Sequence, residues 1–162
     1  MGITGWRFCV VGYARINISR IREKVADIKE NLQVLNEYAN QGKNEFLSNK
    51  EAVRSARYAF IVMIEASSNI ANHLCARLLN SSPESYAECF LLLGNNDIIS
   101  NDLSLRLGKM AGFRNLLVHG YAKVDNQKMF DIMQKNMGDV EQWLEELQHL
   151  LVRNGIGGEN DV

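Results

Sequence analysis

Arg114 and His119 are the pair in this 162-residue chain whose types and spacing suggest chemistry. An arginine supplies a fixed cation whose planar fork matches phosphate oxygens. A histidine accepts and donates protons near neutral pH. Together they suffice to cleave RNA without a metal. The imidazole removes the 2′-OH proton or protonates the leaving 5′-oxygen, while the guanidinium stabilises the pentacoordinate phosphate. DNA lacks the 2′-OH and would be spared. A plainer role stands beside this one, because an arginine and a histidine near a helix end also compensate the terminal dipole.

The charge pattern around the pair is uneven. From Leu103 to Val124 there is no Asp or Glu, while Arg106, Lys109, Arg114 and Lys123 all fall there. The stretch is +4 on a chain of net charge −1, so the remaining residues sum to −5. A local basic patch on a mildly acidic protein attracts phosphate without binding every polyanion. Arg106, Lys109 and Lys123 are therefore candidate phosphate- or RNA-binding residues.

Helical geometry constrains how such a site assembles. Five residues at 100° each put Arg114 and His119 about 140° apart on an ideal helix. Tyr121, seven residues beyond Arg114, returns to nearly its face if the helix persists past Gly120. One chain assembles a composite site poorly. Two chains related by a two-fold axis bring both Arg/His pairs into one cleft, so the spacing supports a homodimer.

The elements that must position these residues read as five helices in an antiparallel, all-α bundle. Ile21, Val25, Ile28, Leu32, Leu35 and Tyr38 form one apolar stripe from Ser19 onward, with a stop at Asn40-Gln41-Gly42 where glycine tolerates the left-handed conformation. Ser48 and Glu51 fit a capping box that opens a long central helix to about Leu79. Pro83 suits the first position of a short third helix, which stops at Gly94-Asn95. Ser100 or Asn101 caps a fourth, carrying Leu103, Leu107, Met110, Phe113 and Leu117. The fifth begins near Gln127 and shows Phe130, Met133, Met137, Val140, Leu144, Leu147 and Leu151, a stripe expected to form core. The chain divides into an atypical N-terminal segment (1–18) without assigned function, a helical domain (19–153) and a flexible tail (154–162).

Other chemistries lack their signatures. No glycine-rich loop follows a strand, and no HExxH or carboxylate cluster offers a metal cage, so neither metal nor cofactor is expected. Cys9, Cys75 and Cys89 have no ligand spacing and read as reduced, buried, structural thiols. His149 lies on a solvated face. His73, near Asn69 and Asn72 in the central helix, is either a satisfied core residue or a helper at an active site or interface. No apolar run reaches the ~18 residues of a membrane span, and the first 18 residues lack a basic n-region, so a cytoplasmic protein is expected.

The segment Arg114-Asn115-Leu116-Leu117-Val118-His119-Gly120-Tyr121 resembles the R-x4-6-H motif of HEPN domains, in the R-x4-H-x-Y form of HepT toxins. Pro83-Glu84-Ser85-Tyr86-Ala87-Glu88-Cys89-Phe90 is similar to that family's P-x-x-Y-x-x-x-F helix. Leu107 to Phe113 and Val118 to Asp125 resemble the motif's lead-in and exit, and the likeness extends over about Ser19 to Val152. The segment before Ser19 departs from the family's usual start.

The resemblance implies a toxin of a toxin–antitoxin pair that cleaves RNA as a homodimer, with Arg114 and His119 at the dimer cleft. Asn115 matches the polar residue common after the arginine and would orient the phosphate or the histidine. The implied partner is a minimal nucleotidyltransferase antitoxin of the MntA class, which transfers AMP from ATP to the motif tyrosine, Tyr121. Adenylate adds bulk and negative charge where substrate phosphate must bind. The rival from another class is a non-catalytic HEPN accessory module that binds a nucleotide or the nucleotidyltransferase. Fold analogy alone does not separate the two.

Overall fold

The computed structural model describes residues 15–120, 124–158 and 162. Seven α-helices and no strand occur among them: α1 (Ile18–Ala39), α2 (Lys43–Ser48), α3 (Lys50–Leu78), α4 (Tyr86–Asn95), α5 (Asn101–His119), α6 (Asn126–Lys135) and α7 (Met137–Arg153). The fold class is all-α, as expected. Two further helices join the five read from the sequence, and each has a local cause.

The first is α2. Gly42 is not left-handed; at φ −63° and ψ 137° it is the extended N-cap of this short helix. Its single turn and a half carries too little periodicity to stand out, yet it drives Phe46 fully into the core between Tyr38 and Phe130, with ring centroids 5.7 and 5.3 Å away. The second comes from a break at Asn136 (φ −118°, ψ 0°), which ends α6 and begins α7. Asparagine there and glycine at 138 are weak helix formers. The break costs the apolar stripe nothing: Phe130, Met133, Met137, Val140, Leu144, Leu147 and Leu151 are all buried, as core.

Three helix starts differ from their sequence signals. Asn17 caps α1 by accepting the N–H of Arg20 at 3.1 Å, and Ile16 before it is buried, so the folded domain reaches back past Ser19. Asn49, not Ser48, caps α3, accepting from Glu51 and Ala52 at 3.1 Å each. The Ser48 hydroxyl donates to the Glu45 carbonyl instead. Pro83 lies in the turn before α4, whose cap is Ser85, accepting from the N–H of Glu88 at 3.2 Å. The Glu88 carboxylate reaches back to the N–H of Glu84. That serine–glutamate pair three residues apart is the signal that locates the start.

The helix α3 is central: α1, α2, α4 and α5 all pack against it. It buries residues on several faces, small ones (Ala52, Ala56, Ala66, Ala71) allowing close approach. The helices α4 and α5 form a tight hairpin. A β-carbon on Gly94 would stand 2.1 Å from the Ser104 Oγ, so only glycine lets them meet at this point. Glu146 of α7 holds the α4–α5 turn, accepting the N–H and the hydroxyl of Ser100 at 2.7 Å each.

The chain's end is tied down at its described residues. Gly155 adopts φ +65° after α7, with Gly155 N–H donating to Val152 and Ile156 N–H to Leu151, a closure that satisfies the last carbonyls. Gln148 further bonds Gly158 and Val162.

Candidate active site

The helix α5 carries both candidate residues, and its own geometry sets them apart. Arg114 points back toward α3, where Glu65 Oε1 accepts from its Nε at 3.1 Å and, more closely, from its Nη2. Its Nη1 donates to Asn115 Oδ1 at 3.3 Å, and its Cζ stands 6.0 Å from the Tyr86 ring centroid. The side chain of Arg114 keeps 19% of its surface and that of Glu65 38%. A guanidinium has five N–H donors. Glu65 and Asn115 take one from Nε, one from Nη2 and one from Nη1, leaving a second hydrogen on each terminal nitrogen for a phosphate oxygen.

Glu65 was not legible as part of this site from the arginine motif. A signal exists, however: it is the only acidic residue between Glu51 and Glu84. A lone carboxylate in the apolar middle of a central helix requires a partner.

His119 is the last residue of α5 and is exposed. Gly120 ends the helix, donating to the Leu116 carbonyl at 2.8 Å. A β-carbon at Gly120 would meet that same oxygen at 2.6 Å. The helix therefore ends at His119. Tyr121 and Lys123 themselves lie outside the described residues. On ideal helical geometry His119 falls within about 60° of Leu105, Gly112 and Leu116, and far from Arg114. Leu105 and Leu116 are 50% and 40% exposed, and nothing lies within 4 Å of a β-carbon placed on Gly112. The same arc also holds Gly108, buried against α4, and the exposed Asn115, so His119 stands at the end of a mixed face of α5.

The basic stretch does not make an acid-free surface. Arg106, expected to serve phosphate, is held by carboxylates from outside that stretch. Its Nη2 lies 3.0 Å from Asp102, its Nη1 contacts Asp139 closely, and Nη2 also donates to Gln142 at 2.8 Å. These interactions tie α5 to α7 and occupy the guanidinium. Lys109 is exposed and makes no ion pair among the described residues. It borders a cavity of about 270 Å³ floored by Phe60, Met110, Phe113 and Met137.

The remaining titratable groups resolve into structure. His73 is buried, and its Nε2 accepts the Asn17 N–H at 3.0 Å, so it is a satisfied core residue. His149 is exposed. Cys75 and Cys89 are buried free thiols, and burial pushes the Cys75 thiol up to about 12, which removes thiolate reactivity. Among the described residues no group of three His, Cys, Asp or Glu is placed to hold a metal ion. No described helix is long and apolar enough to cross a membrane.

The model of the HepT-like family, described as Ribonuclease HepT-like, matches residues 28–147. The chain belongs to this family. The match takes in Glu65, Asn72, Tyr86 and the whole Arg114–Tyr121 segment. Among curated HepT-like relatives, the mRNA nuclease HepT of Shewanella oneidensis is 33% identical over 84 residues, which cover 52% of this chain and 63% of that protein. The tRNA nuclease HepT of Aphanizomenon flos-aquae is 25% identical over 99 residues, covering 61% and 67%. Among solved structures, the tri-AMPylated Shewanella oneidensis HEPN toxin in complex with MNT antitoxin superposes with a TM-score of 0.75 at 27% identity, covering 82% of this chain and 98% of that one.

Proposed function

We propose that this HepT-like chain is the toxin of a two-component pair, a metal-independent endoribonuclease that works as a homodimer. The observation that carries the proposal is Arg114, oriented by Glu65 with an unused hydrogen on each terminal nitrogen, on the helix that ends in an exposed His119. The nuclease names of the relatives from Shewanella oneidensis and Aphanizomenon flos-aquae support it.

In the proposed reaction Arg114 holds the scissile phosphate, and Asn115 keeps the guanidinium in place. One His119 takes the 2′-OH proton as the 2′-oxygen attacks phosphorus. The partner protomer's imidazole protonates the departing 5′-oxygen. The products are a 2′,3′-cyclic phosphate and a 5′-hydroxyl. The exposed Leu105 and Leu116 of α5 offer apolar surface to the two-fold contact. Lys109 and Lys123 add sequence-independent attraction for the backbone.

A nucleotidyltransferase antitoxin is the proposed partner, by analogy with the AMPylated toxin in complex with MNT antitoxin. The Tyr121 oxygen attacks the α-phosphorus of ATP, pyrophosphate leaves, and the attached AMP repels substrate phosphate from Arg114. The proposed setting is the cytoplasm.

The test is RNA cleavage by the purified chain in EDTA, wild type beside His119→Ala. Cleavage by the wild type alone, leaving cyclic or 3′-phosphate ends, is the expected result. No cleavage by protein shown by mass to be unmodified overturns the ribonuclease proposal in favour of a non-catalytic accessory module.

A further inference from the structure

The half-buried Arg57 of α3 makes no ion pair among the described residues. Its Nη2 donates to Asn126 Oδ1 at 3.3 Å, and its Nε is buried without a hydrogen-bond partner. Asp125, beside Asn126, turns its carboxylate to the N–H groups of Gln127 and Lys128 instead. A guanidinium drawn partly out of water is costly unless an anion joins it. Next to it, Tyr58 is 68% exposed, the most open large apolar or aromatic side chain among the described residues. Arg54, one turn earlier, is engaged with Glu51 at 2.9 Å, so Arg57 is the open cation of this stretch.

The pair lies in line with the helix that carries the candidate site. Tyr58 and Glu65 are seven residues apart, which puts them within about 20° of one face and about 10 Å apart along α3. Glu65 holds Arg114, and between the two positions Phe60 packs edge-on against Phe113, with ring centroids 5.4 Å apart. No charged residue interrupts the sequence from Tyr58 to Glu65, and Ile61 and Val62 are half-buried there. The rise matches about three nucleotides of a stacked strand at ~3.4 Å each.

Proteins hold single strands by laying bases on exposed aromatic rings and phosphates on adjacent cations. We infer that Arg57 and Tyr58 form a single-strand RNA subsite, Tyr58 stacking a base and Arg57 taking a phosphate of the strand that Arg114 grips. A tyrosine face accepts every base, so the subsite adds affinity and sets the strand's path without choosing sequence. Its bearing on cutting rests on the ribonuclease proposal above; strand binding at Arg57 and Tyr58 does not.

Binding is measured on the full chain carrying His119→Ala, which keeps the RNA intact. The probes are a short oligoadenylate RNA and an abasic ribose-phosphate strand of the same length. Tyr58→Ala should weaken the oligoadenylate about tenfold, the loss of one stacked base, and leave the abasic strand within about twofold. Tyr58→Phe keeps the ring face and should bind within about twofold of the parent. Arg57→Gln should weaken both strands and lower the dependence of log affinity on log salt by about 0.7. Equal weakening of both strands by Tyr58→Ala, a loss shared by Tyr58→Phe, or a salt slope untouched by Arg57→Gln overturns the subsite. RNA affinity unchanged by Tyr58→Ala also overturns it and leaves this face to a protein partner.

Cleavage with His119 intact separates the two proposals. Tyr58→Ala should raise KM about tenfold with kcat within about twofold, because stacking holds substrate and transition state alike. A fall in kcat at unchanged KM overturns the subsite. Stacking-dependent binding with no cutting by the intact chain supports the subsite and counts against the ribonuclease proposal.

Discussion

The Nε2 of His73, near the C-terminal end of the central helix, accepts the backbone N–H of Asn17 at 3.0 Å, tying α3 to the residue that caps α1. The acceptor must be unprotonated. Burial foremost, then the charges of Arg77 and Arg20, hold His73 below its ordinary value of 6.5. The neutral form is therefore the one the fold stabilises. That contribution is complete above the ordinary value and is lost as pH falls through the lowered one. We predict that stability to urea falls as pH drops below the ordinary histidine value and that His73→Ala flattens this slope. At higher pH the same substitution should cost about 1–3 kcal/mol, because it orphans the Asn17 N–H. A wild-type slope equal to that of His73→Ala would show that the bond is not the pH-sensitive element.

Glu65 orients Arg114 without touching the proposed substrate, so its loss should be felt in rate. We expect Glu65→Ala to lower RNA cleavage by about a hundredfold, the scale of a catalytic group displaced by about an ångström. Glu65→Gln retains an oxygen acceptor and should recover part of it. Both side chains reach solvent, so stability should change by about 1 kcal/mol or less. Single-turnover cleavage alongside thermal melting measures the two effects, and a rate loss that tracks the melting loss would refute the orienting role.

Arg106 and Lys109, neighbours in the basic stretch, should behave differently. Arg106 is engaged with Asp102, Asp139 and Gln142, so Arg106→Gln should lower stability by about 1 kcal/mol and leave RNA affinity nearly unchanged. Lys109→Ala should do the reverse, reducing the dependence of log affinity on log salt by about one. Binding of a catalytically silent His119→Ala background to RNA at several salt concentrations distinguishes them.

Two glycines on the α4–α5 hairpin give a packing test. Gly94→Ala would press a methyl against Ser104 and should cost about 1–3 kcal/mol, partly relieved by Ser104→Gly in a double-mutant cycle. At Gly108 the nearest atoms to an added β-carbon are 3.7 Å away, an ordinary contact. Gly108→Ala should therefore be neutral or stabilising by up to ~1 kcal/mol, from helix propensity. Urea midpoints of the four variants measure this, and equal losses at both glycines would contradict the hairpin geometry.

What the sequence determined by itself was local. The stripe from Ile21 to Leu35 and the one from Phe130 to Leu151 announced their buried faces because helical periodicity is written into neighbouring residues. The segment from Arg114 to Tyr121 and the Pro83–Phe90 stretch carried the family. Even local signals lost where two candidates competed: Asn49 took the cap that Ser48 and Glu51 suggested, and the turn at Gly42 hid α2.

The tertiary structure decided which surfaces meet. Glu65 finds Arg114 across 49 residues, Asn17 finds His73 across 56, and Asp139 finds Arg106 across 33. No periodicity encodes such pairings, because side chains that distant become neighbours only once the helices have packed. The same packing turned a nominally basic stretch into a surface with one cation engaged and another open. It also brought Asn72 and Asn115, from two different helices, to a single cleft beside Tyr86.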